Sequence, residues 1–158
     1  MKFVVGVGAS GEGAALLVDR GIASLSSHPA IRILGRSRRY QNPAWGGVTR
    51  ALFVNAAVVV ESALAPSALL RELHAVESAH GRLRRLASGP RTLDLDVLLA
   101  IDVHGGGCGG PDLPHPRLID RAFAVIPALE ALASACIQPP PLLLAAARNH
   151  ARAAMMLV

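Results

Sequence analysis

Two kinds of apolar spacing alternate along the chain and predict its secondary structure. Short runs rich in valine and leucine, bounded by glycine or turn residues, predict buried strands. Apolar positions three and four residues apart predict amphipathic helices. We expect strands at residues 2–8, 31–40, 52–61 and 92–101, and helices at residues 12–26, 66–81, 127–135 and 142–155.

The order of the first six predicted elements indicates the fold class. It is β-α-β-β-α-β, the ferredoxin-like order, in which an antiparallel sheet carries helices on one face. The remaining two helices follow this core. We therefore predict an α+β fold with a ferredoxin-like core and extra C-terminal helices, folded as one domain over residues 1–158.

Composition and charge limit the classes of partner. Hydrophobic residues form 52% of the chain and charged residues 17%, which provides a core and excludes a disordered protein. Aromatic residues form only 3%, too few to stack single-stranded nucleic acid. The net charge of +5 is spread over isolated arginines, with no basic run longer than two residues. We expect no nucleic-acid partner.

The apolar stretches are too interrupted to span a membrane. Gly6 and Gly8 break the first, and Pro127 and Glu130 break the stretch over residues 122–147. The two cysteines have neither metal-ligand spacing nor a disulfide framework, which fits a reducing compartment. We expect a cytoplasmic monomer without a membrane partner.

Two carboxylates share one face of the fourth predicted strand. Because side chains alternate along a strand, Asp94 and Asp96 point to one side and Leu95 to the other. Two like charges in this arrangement suit Mg²⁺, especially when phosphates supply the remaining oxygen ligands. For an isolated pair a solvated polar face is the commoner explanation. Arg91, three residues earlier, favours a metal-phosphate site.

Positive side chains lie on both sides of this pair. Arg82, Arg84 and Arg85 precede it and could close over a polyphosphate, although an exposed basic loop is the explanation we favour for the last two. His115 and Arg121 follow and could contact phosphates. A histidine between two prolines is more often a turn residue.

Phe53, Asn55 and Phe123 allow two interpretations. Both phenylalanines could belong to the core, which is the usual place for an aromatic side chain. They could also form the two faces of a slot for a planar heterocycle, with the Asn55 amide binding its edge. The residues alone do not decide between these.

A glycine motif points to a different class of function. The segment from Gly6 to Gly11 matches G-x-G-x-x-G between a strand and a helix, as in dinucleotide-binding proteins. The acidic residue expected about 20 positions later is missing, since no Asp or Glu lies between Asp19 and Glu61. An NADP-binding protein is therefore an alternative that the order of elements does not favour.

The segment containing the two aspartates also resembles a known family. Residues 89–98, Gly-Pro-Arg-Thr-Leu-Asp-Leu-Asp-Val-Leu, look like the signature of the 6-hydroxymethyl-7,8-dihydropterin pyrophosphokinases of folate biosynthesis. Matches to that family extend over most of the chain. They are Ser37-x-x-Tyr40, Phe53-x-Asn55-Ala56-Ala57, Leu64-Ala65-Pro66, Glu77 with Gly81-Arg82, Pro114-His115-Pro116-Arg117 and Arg121-Ala122-Phe123.

The resemblance implies an activity and a set of site residues. ATP would transfer pyrophosphate to the pterin, giving the pterin diphosphate and AMP, with two Mg²⁺ ions on Asp94 and Asp96. The residues implied for catalysis are Arg82, Arg91, Asp94 and Asp96, and those implied for ATP binding are Glu77, Arg82, Arg84, Arg91, His115 and Arg121. The residues implied for pterin binding are Asn42, Pro43, Trp45, Phe53, Asn55, Asp94 and Phe123.

The chain departs from the family pattern at several positions. Asn42 stands where a threonine is usual, His74 where a glutamine is usual, and Ser88 where a tryptophan is frequent. None of these changes removes an implied metal ligand. A divergent relative that binds pterin or nucleotide with little transferase activity is the second alternative.

Overall fold

An antiparallel sheet of six strands organises the computed structural model, which describes residues 1–43, 52–81, 93–101, 111–150 and 155–158. The strands are β1 (Lys2–Ser10), β2 (Arg32–Arg36), β3 (Tyr40–Pro43), β4 (Leu52–Glu61), β5 (Asp94–Ala100) and β6 (Met156–Leu157). The helices are α1 (Ala14–Ser26), α2 (Pro66–Ala79), α3 (Ala122–Ser134) and α4 (Pro141–Asn149).

The strand order agrees with the predicted fold class. The order is β5-β1-β4-β3-β6, and β2 also pairs with β4, beside the part of β4 that β3 leaves free. With β2 and β3 taken as the second strand of the core, this is the arrangement expected for a ferredoxin-like sheet. The α+β class with an antiparallel sheet is confirmed.

One face of the sheet is apolar along its whole length and packs against α1 and α2. The alternation of β1 and β4 directs every second side chain to this face, where each fully buried aliphatic group contributes about 1.5–3 kcal/mol. The side chains buried there include Phe3, Val5, Val7, Ala9, Val18, Leu25, Val54, Val58, Leu69, Leu73, Leu93 and Leu95.

The C-terminal helices cover part of the opposite face, which we call the α3 face. The sequence predicted these helices but did not predict where they pack. Side chains buried there include Val4, Ala57, Val59, Leu98, Leu99, Leu118, Val125, Ala128, Leu132 and Leu143. The sheet therefore lies between two helical layers, with α1 and α2 on one side and α3 and α4 on the other.

The single strand predicted over residues 31–40 is divided into β2 and β3. Between them, Ser37 bonds Ala57 of β4 through its backbone N–H and its hydroxyl, each at 2.9 Å, so a side chain replaces a backbone acceptor. Gly35 lies directly under α3, where an added Cβ would be 2.5 Å from the Ala135 nitrogen and 2.6 Å from the Ala131 oxygen. Contacts with distant elements therefore interrupt a locally continuous pattern.

Helix boundaries also differ from the predicted ones. The first helix begins at Ala14 rather than at residue 12, because Gly11 and Gly13 adopt positive φ angles. The third begins five residues before the predicted start and contains Pro127, whose missing backbone bond is offset by burial of its ring. The fourth ends at Asn149, before the predicted end at residue 155.

In the described ranges, no helix combines the length and apolar character that a membrane crossing requires.

Candidate active site

At one end of the α3 face, three neighbouring strands carry polar residues and glycine instead of apolar side chains. Gly8 of β1 lies opposite Asn55 of β4 on one side and Asp94 of β5 on the other. One step along, Gly6 lies opposite Asp96. Directly opposed residues of antiparallel strands point to the same face. We call this region, made of Gly6, Gly8, Asn55, Asp94 and Asp96, the polar end of the α3 face.

The two glycines leave the middle of the polar end without side chains. A Cβ at Gly8 would lie 2.8 Å from Oδ1 of Asn55, so the Asn55 amide extends over the β1 backbone. Both Gly6 and Gly8 lie inside β1, which continues to Ser10. A dinucleotide motif would need the first glycine in the turn that leads to the helix. The glycine motif therefore forms the floor of the polar end, and the structure gives no support to the NADP alternative.

Asp94 and Asp96 are both half-buried and share the α3 face, while Leu95 between them is buried on the other side of the sheet. The same-face prediction is confirmed. Carboxylate oxygens suit Mg²⁺, which is commonly held by one or two carboxylates together with substrate phosphates. Within the described ranges, no cluster of three or more His, Cys, Asp or Glu is placed to hold a metal. This donor set fits a cation whose other ligands come from a nucleotide and water.

The Glu77 carboxylate is buried between α2 and the strand that carries these aspartates. Its side chain is 1% exposed, and its Oε1 accepts the backbone N–H of Leu95 at 2.7 Å. The sequence places Glu77 in the nucleotide site, and that role stays a prediction. Its bond to Leu95 is made with the peptide that joins Asp94 to Leu95.

The orientation of the Asn55 amide is determined by a neighbour on β3. Nδ2 of Asn55 donates to Oδ1 of Asn42 at 2.7 Å, and Nδ2 of Asn42 donates to the Pro43 carbonyl at 2.8 Å. With its nitrogen engaged, Asn55 presents Oδ1 over Gly8 as an acceptor. Asn42 and Pro43 lie beyond the predicted end of the strand at residue 40, and they are the last two residues of β3.

Both candidate aromatic residues lie on the α3 face. Phe53 is half-buried on β4, opposite Ser10 and Asn42 on the neighbouring strands. Phe123 is the second residue of α3 and packs at the edge of the apolar cluster. The Arg121 guanidinium lies 5.6 Å from the centre of the Phe123 ring, within range of a cation–π interaction. Two residues predicted for different ligands therefore contact each other.

His115 is hydrogen-bonded to β5, the strand that carries Asp94 and Asp96. Its backbone N–H donates to the Leu98 carbonyl at 2.8 Å, and its Nδ1 accepts the Arg117 N–H at 3.2 Å. A neutral imidazole with Nδ1 as acceptor carries its proton on Nε2. His115 can therefore offer an Nε2–H donor to an anion such as a phosphate.

A polar cluster that the sequence did not predict attaches α3 to β3. The Tyr40 hydroxyl donates to Glu130 at 2.8 Å, and both the backbone and the guanidinium of Arg38 donate to the same carboxylate. Burial raises the pKa of Tyr40, and its bond to Glu130 raises it further. Burial alone would raise the pKa of Glu130, but the bonds from Tyr40 and Arg38 outweigh this effect and lower it. The one feature of the sequence that could have indicated this cluster is Glu130, an isolated acidic residue in an otherwise apolar helical segment.

Four predicted site residues lie outside the described residues. They are Trp45, Arg82, Arg84 and Arg91. Their roles stay predictions, and Ser88, which stands where the family frequently has a tryptophan, also lies outside the described residues.

Comparison with known proteins shows which family has this arrangement. The model of the family described as 7,8-dihydro-6-hydroxymethylpterin-pyrophosphokinase (HPPK) matches residues 4–133, from the third residue of β1 almost to the end of α3. The chain belongs to this family. The match includes all ten described residues that the sequence analysis assigned to the site.

Individual relatives in this pyrophosphokinase family agree with the match. A 2-amino-4-hydroxy-6-hydroxymethyldihydropteridine pyrophosphokinase from Methylorubrum extorquens is 35% identical over 130 residues, 80% of this chain and 79% of the relative. One of the same name from Bacillus subtilis is 34% identical over 109 residues, 69% of this chain and 65% of the relative. The bifunctional protein FolKE of Lactococcus lactis is 34% identical over 109 residues, which are only 31% of its length.

The activity follows from family membership. HPPK proteins transfer pyrophosphate from ATP to hydroxymethyldihydropterin in folate biosynthesis, and this chain is a pyrophosphokinase of that kind. The resemblance stated from the signature segment is confirmed.

Proposed function

We propose that the polar end of the α3 face is the place where pyrophosphate passes from ATP to 6-hydroxymethyl-7,8-dihydropterin. The observation that supports this most is the row formed by Asp94, Gly8 and Asn55 across three adjacent strands. It presents an anionic group and an amide to one open surface, about 10 Å apart if each strand spacing is about 4.8 Å. That separation suits a polyphosphate at one side and a small heterocycle at the other.

Asp94 and Asp96 are proposed to hold two Mg²⁺ ions together with the ATP triphosphate. The Leu95 side chain between them is buried in the core on the other face of the sheet. This burial keeps both carboxylates on the α3 face. When bound there, Mg²⁺ supplies neutralisation of phosphate charge and acidification of the attacking hydroxyl.

The pterin is proposed to lie beside Asn55, between the rings of Phe53 and Phe123. Oδ1 of Asn55, oriented by Asn42, would accept a hydrogen bond from the ring edge, and Pro43 and Trp45 would complete the pocket. Amide-to-edge contacts combined with aromatic stacking are suited to a flat heterocycle with several hydrogen-bonding atoms.

The remaining residues are proposed for ATP. His115 would donate from Nε2 to a phosphate oxygen, and Arg121 would pair with another. The arginines at 82, 84 and 91 complete the predicted nucleotide site, to which the sequence also assigns Glu77. Since phosphoryl-type transfer depends mainly on positioning and charge neutralisation, a site of arginines, one histidine donor and metal-binding carboxylates is chemically sufficient.

The reaction balances with these groups. The hydroxymethyl oxygen forms a bond to the β-phosphorus, and the bond from that phosphorus to the bridging oxygen of the α-phosphate breaks. AMP leaves with the bridging oxygen, and the hydroxyl proton passes to solvent.

We further propose that residues 1–158 form one domain and that the protein acts as a monomer in the cytoplasm.

The decisive experiment measures AMP release from ATP, Mg²⁺ and the hydroxymethyldihydropterin, with controls that lack the pterin or the metal. The wild-type protein should release AMP only when all three are present. Asp96→Ala should lower turnover by about 10³-fold, because a Mg²⁺ contact contributes several kcal/mol to the transition state.

Asp19→Ala provides the matched control, since it removes an exposed carboxylate of α1 that is paired with Arg39 on the surface. Its turnover should equal that of the wild type. Near-normal AMP release by Asp96→Ala would overturn the metal assignment. No AMP release from folded wild-type protein would instead indicate a relative that binds without efficient transfer.

A further inference from the structure

Glu77 is the only acidic residue that is buried among the residues the structure describes. It lies on α2 next to Val76 and one turn after Leu73, both of which pack in the apolar cluster between α2 and the sheet. A carboxylate costs several kcal/mol to remove from water unless strong hydrogen bonds replace its hydration. Its position therefore requires an explanation that packing alone does not give.

The contact made by Glu77 suggests one. β5 is the last strand of the sheet order, with β1 on one side and no further strand paired on the other within the described ranges. In an antiparallel ladder, alternate backbone N–H groups point away from the partner strand and need another acceptor. The Leu95 N–H is given one by Oε1 of Glu77 at 2.7 Å, a short distance typical of bonds to a charged group.

This bond is made at the peptide between the two proposed metal ligands. The Leu95 nitrogen belongs to the peptide that begins at the Asp94 carbonyl, and Asp96 is the next residue. Holding that peptide plane fixes the direction in which both carboxylates leave the strand. A metal site requires its ligands to be held within about 0.5 Å of the productive geometry. At the edge of a sheet, a single ladder with β1 gives less restraint than two.

The bond also joins the chain across residues 82–92. Glu77 lies two residues before the end of α2, and Leu95 is the second residue of β5. The bond therefore links α2 to β5 close to both ends of the segment that contains the predicted ATP-binding arginines.

We infer that Glu77 is a positioning residue for the metal-binding pair, acting through its hydrogen bond to Leu95 rather than by contact with a ligand. The inference rests on the proposed function of Asp94 and Asp96. It differs from the nucleotide-binding role predicted from the sequence, because it makes the acceptor oxygen of Glu77 essential and its charge secondary.

The test compares two substitutions of nearly equal size. Glu77→Gln keeps an acceptor oxygen and removes the charge, whereas Glu77→Leu removes both. Binding of Mn²⁺ in the presence of a non-hydrolysable ATP analogue is measured by electron paramagnetic resonance, with Asp96→Ala giving the level bound by the nucleotide alone. Urea denaturation of each variant gives the folded fraction under the assay conditions, and steady-state kinetics give kcat and both KM values.

Two variants on the same helix serve as controls. Leu73→Ala removes a fully buried side chain and lowers stability without removing a bond to β5. Glu72→Gln removes a carboxylate that bonds His28, two residues after the end of α1. Both should bind Mn²⁺ like the wild type when corrected for the folded fraction.

Glu77→Leu should weaken Mn²⁺ binding by about 10–100-fold and lower kcat in parallel, as loss of a group that orients metal ligands does. Glu77→Gln should stay within about threefold of the wild type, because it preserves the bond. The KM for the pterin should change little in either variant.

Other outcomes separate the explanations. If Glu77→Leu loses stability but binds Mn²⁺ normally, Glu77 is a structural residue only and the inference is overturned. It is also overturned if Gln and Leu weaken binding equally, since charge would then matter and not the acceptor. If the wild-type protein binds no more Mn²⁺ than Asp96→Ala, the proposed metal site itself is wrong, and the inference is lost with it.

Discussion

The two ends of the α3 face are formed by the same strands but differ in composition: one is apolar and covered by helices, and the other is polar. At the covered end, Val4, Val59 and Leu99 pack under α3 and α4. At the polar end of the same strands, the positions facing the same way are occupied by Gly8 and Asp94, among others. The change from apolar to polar residues occurs only on the α3 face. The face that packs against α1 and α2 is apolar along its whole length.

This difference explains how a small sheet supports a precise site. Each residue of the polar end is at most a few positions from a fully buried residue on its own strand, and each alternates with a buried residue of the opposite face. The core thus restrains the backbone while the open surface is left to glycine, amide and carboxylate groups. Sites built on strands inherit this rigidity more directly than sites built on loops.

The comparison predicts that the same substitution has opposite consequences at the two ends. At the covered end, Gly35→Ala should lower the free energy of unfolding by about 3 kcal/mol, because the new methyl group meets two backbone atoms at the end of α3, the nitrogen of the cap residue Ala135 at 2.5 Å and the Ala131 oxygen at 2.6 Å. Urea denaturation measures this loss. The pterin affinity of folded Gly35→Ala protein should change less than that of Gly8→Ala. Unchanged stability would show that α3 can move away from β2 at little cost.

At the polar end, Gly8→Ala should be mild for stability and costly for binding. Its Cβ would meet a side-chain oxygen, Oδ1 of Asn55, at 2.8 Å, and that amide can move aside. Moving it should weaken pterin binding about tenfold, or about 1.4 kcal/mol, as measured by calorimetry with a non-hydrolysable ATP analogue present. Ala9→Gly, a change on the opposite face of β1, is the control and should leave pterin binding intact. Equal pterin affinity in Gly8→Ala and the wild type would place the pterin elsewhere.

A smaller effect is expected from Asn42, which orients Asn55. Asn42→Ala should raise the KM for the pterin about threefold to tenfold and leave the KM for ATP unchanged, because it removes one hydrogen bond from the Asn55 amide. Asn42→Thr retains a hydroxyl acceptor and should recover most of this loss. Gln41→Ala, whose side chain points to the α1 side of β3, is the control. A parallel rise in both KM values would indicate a general disturbance of β3.

The smallest effect concerns the cluster that attaches α3 to β3, and it depends on pH. The folded-state pKa of Glu130 is below its ordinary value of 4.5, so its ionised form stabilises the protein at neutral pH. Glu130→Gln should be less stable than the wild type by about 1 kcal/mol at pH 7. The difference should shrink as the pH falls from 4.5 through the folded-state pKa, where the wild-type carboxyl also becomes neutral.

Denaturation curves between pH 3 and 7, about the range in which carboxyl groups titrate, measure this difference. Glu61→Gln, which breaks an exposed pair with Arg32, is the control and should be nearly neutral at every pH. A stability difference between wild type and Glu130→Gln that does not vary with pH would exclude ionisation of Glu130 as its cause.

Much of the site could be predicted from the sequence where the argument was local. The bounds of β4 at residues 52 and 61, and the shared face of Asp94 and Asp96, both follow from alternation along one strand. The signature around the aspartates was long enough to indicate the family that the comparisons confirm. The roles assigned to individual residues stay predictions until they are measured.

Other parts could not be predicted because they depend on pairing over long separations. The helical spacing of α3 predicted a helix but gave no sign that Glu130 would bond Tyr40, 90 residues earlier in the chain. The glycine motif was locally compatible with a phosphate-binding turn. Only the ladder of β1 with β4 and β5 shows that Gly8 lies between Asn55 and Asp94.

The sequence by itself therefore determined most of the elements, the fold class, the family and the acidic strand, since each depends on periodicity or on a contiguous motif. The tertiary structure decided which groups meet: Gly8 with Asn55, Glu130 with Tyr40, and Glu77 with the Leu95 peptide. The physical reason is that strand register and helix docking minimise the free energy of the whole core. The positions of a few polar side chains follow from that minimum and not from their neighbours in the chain.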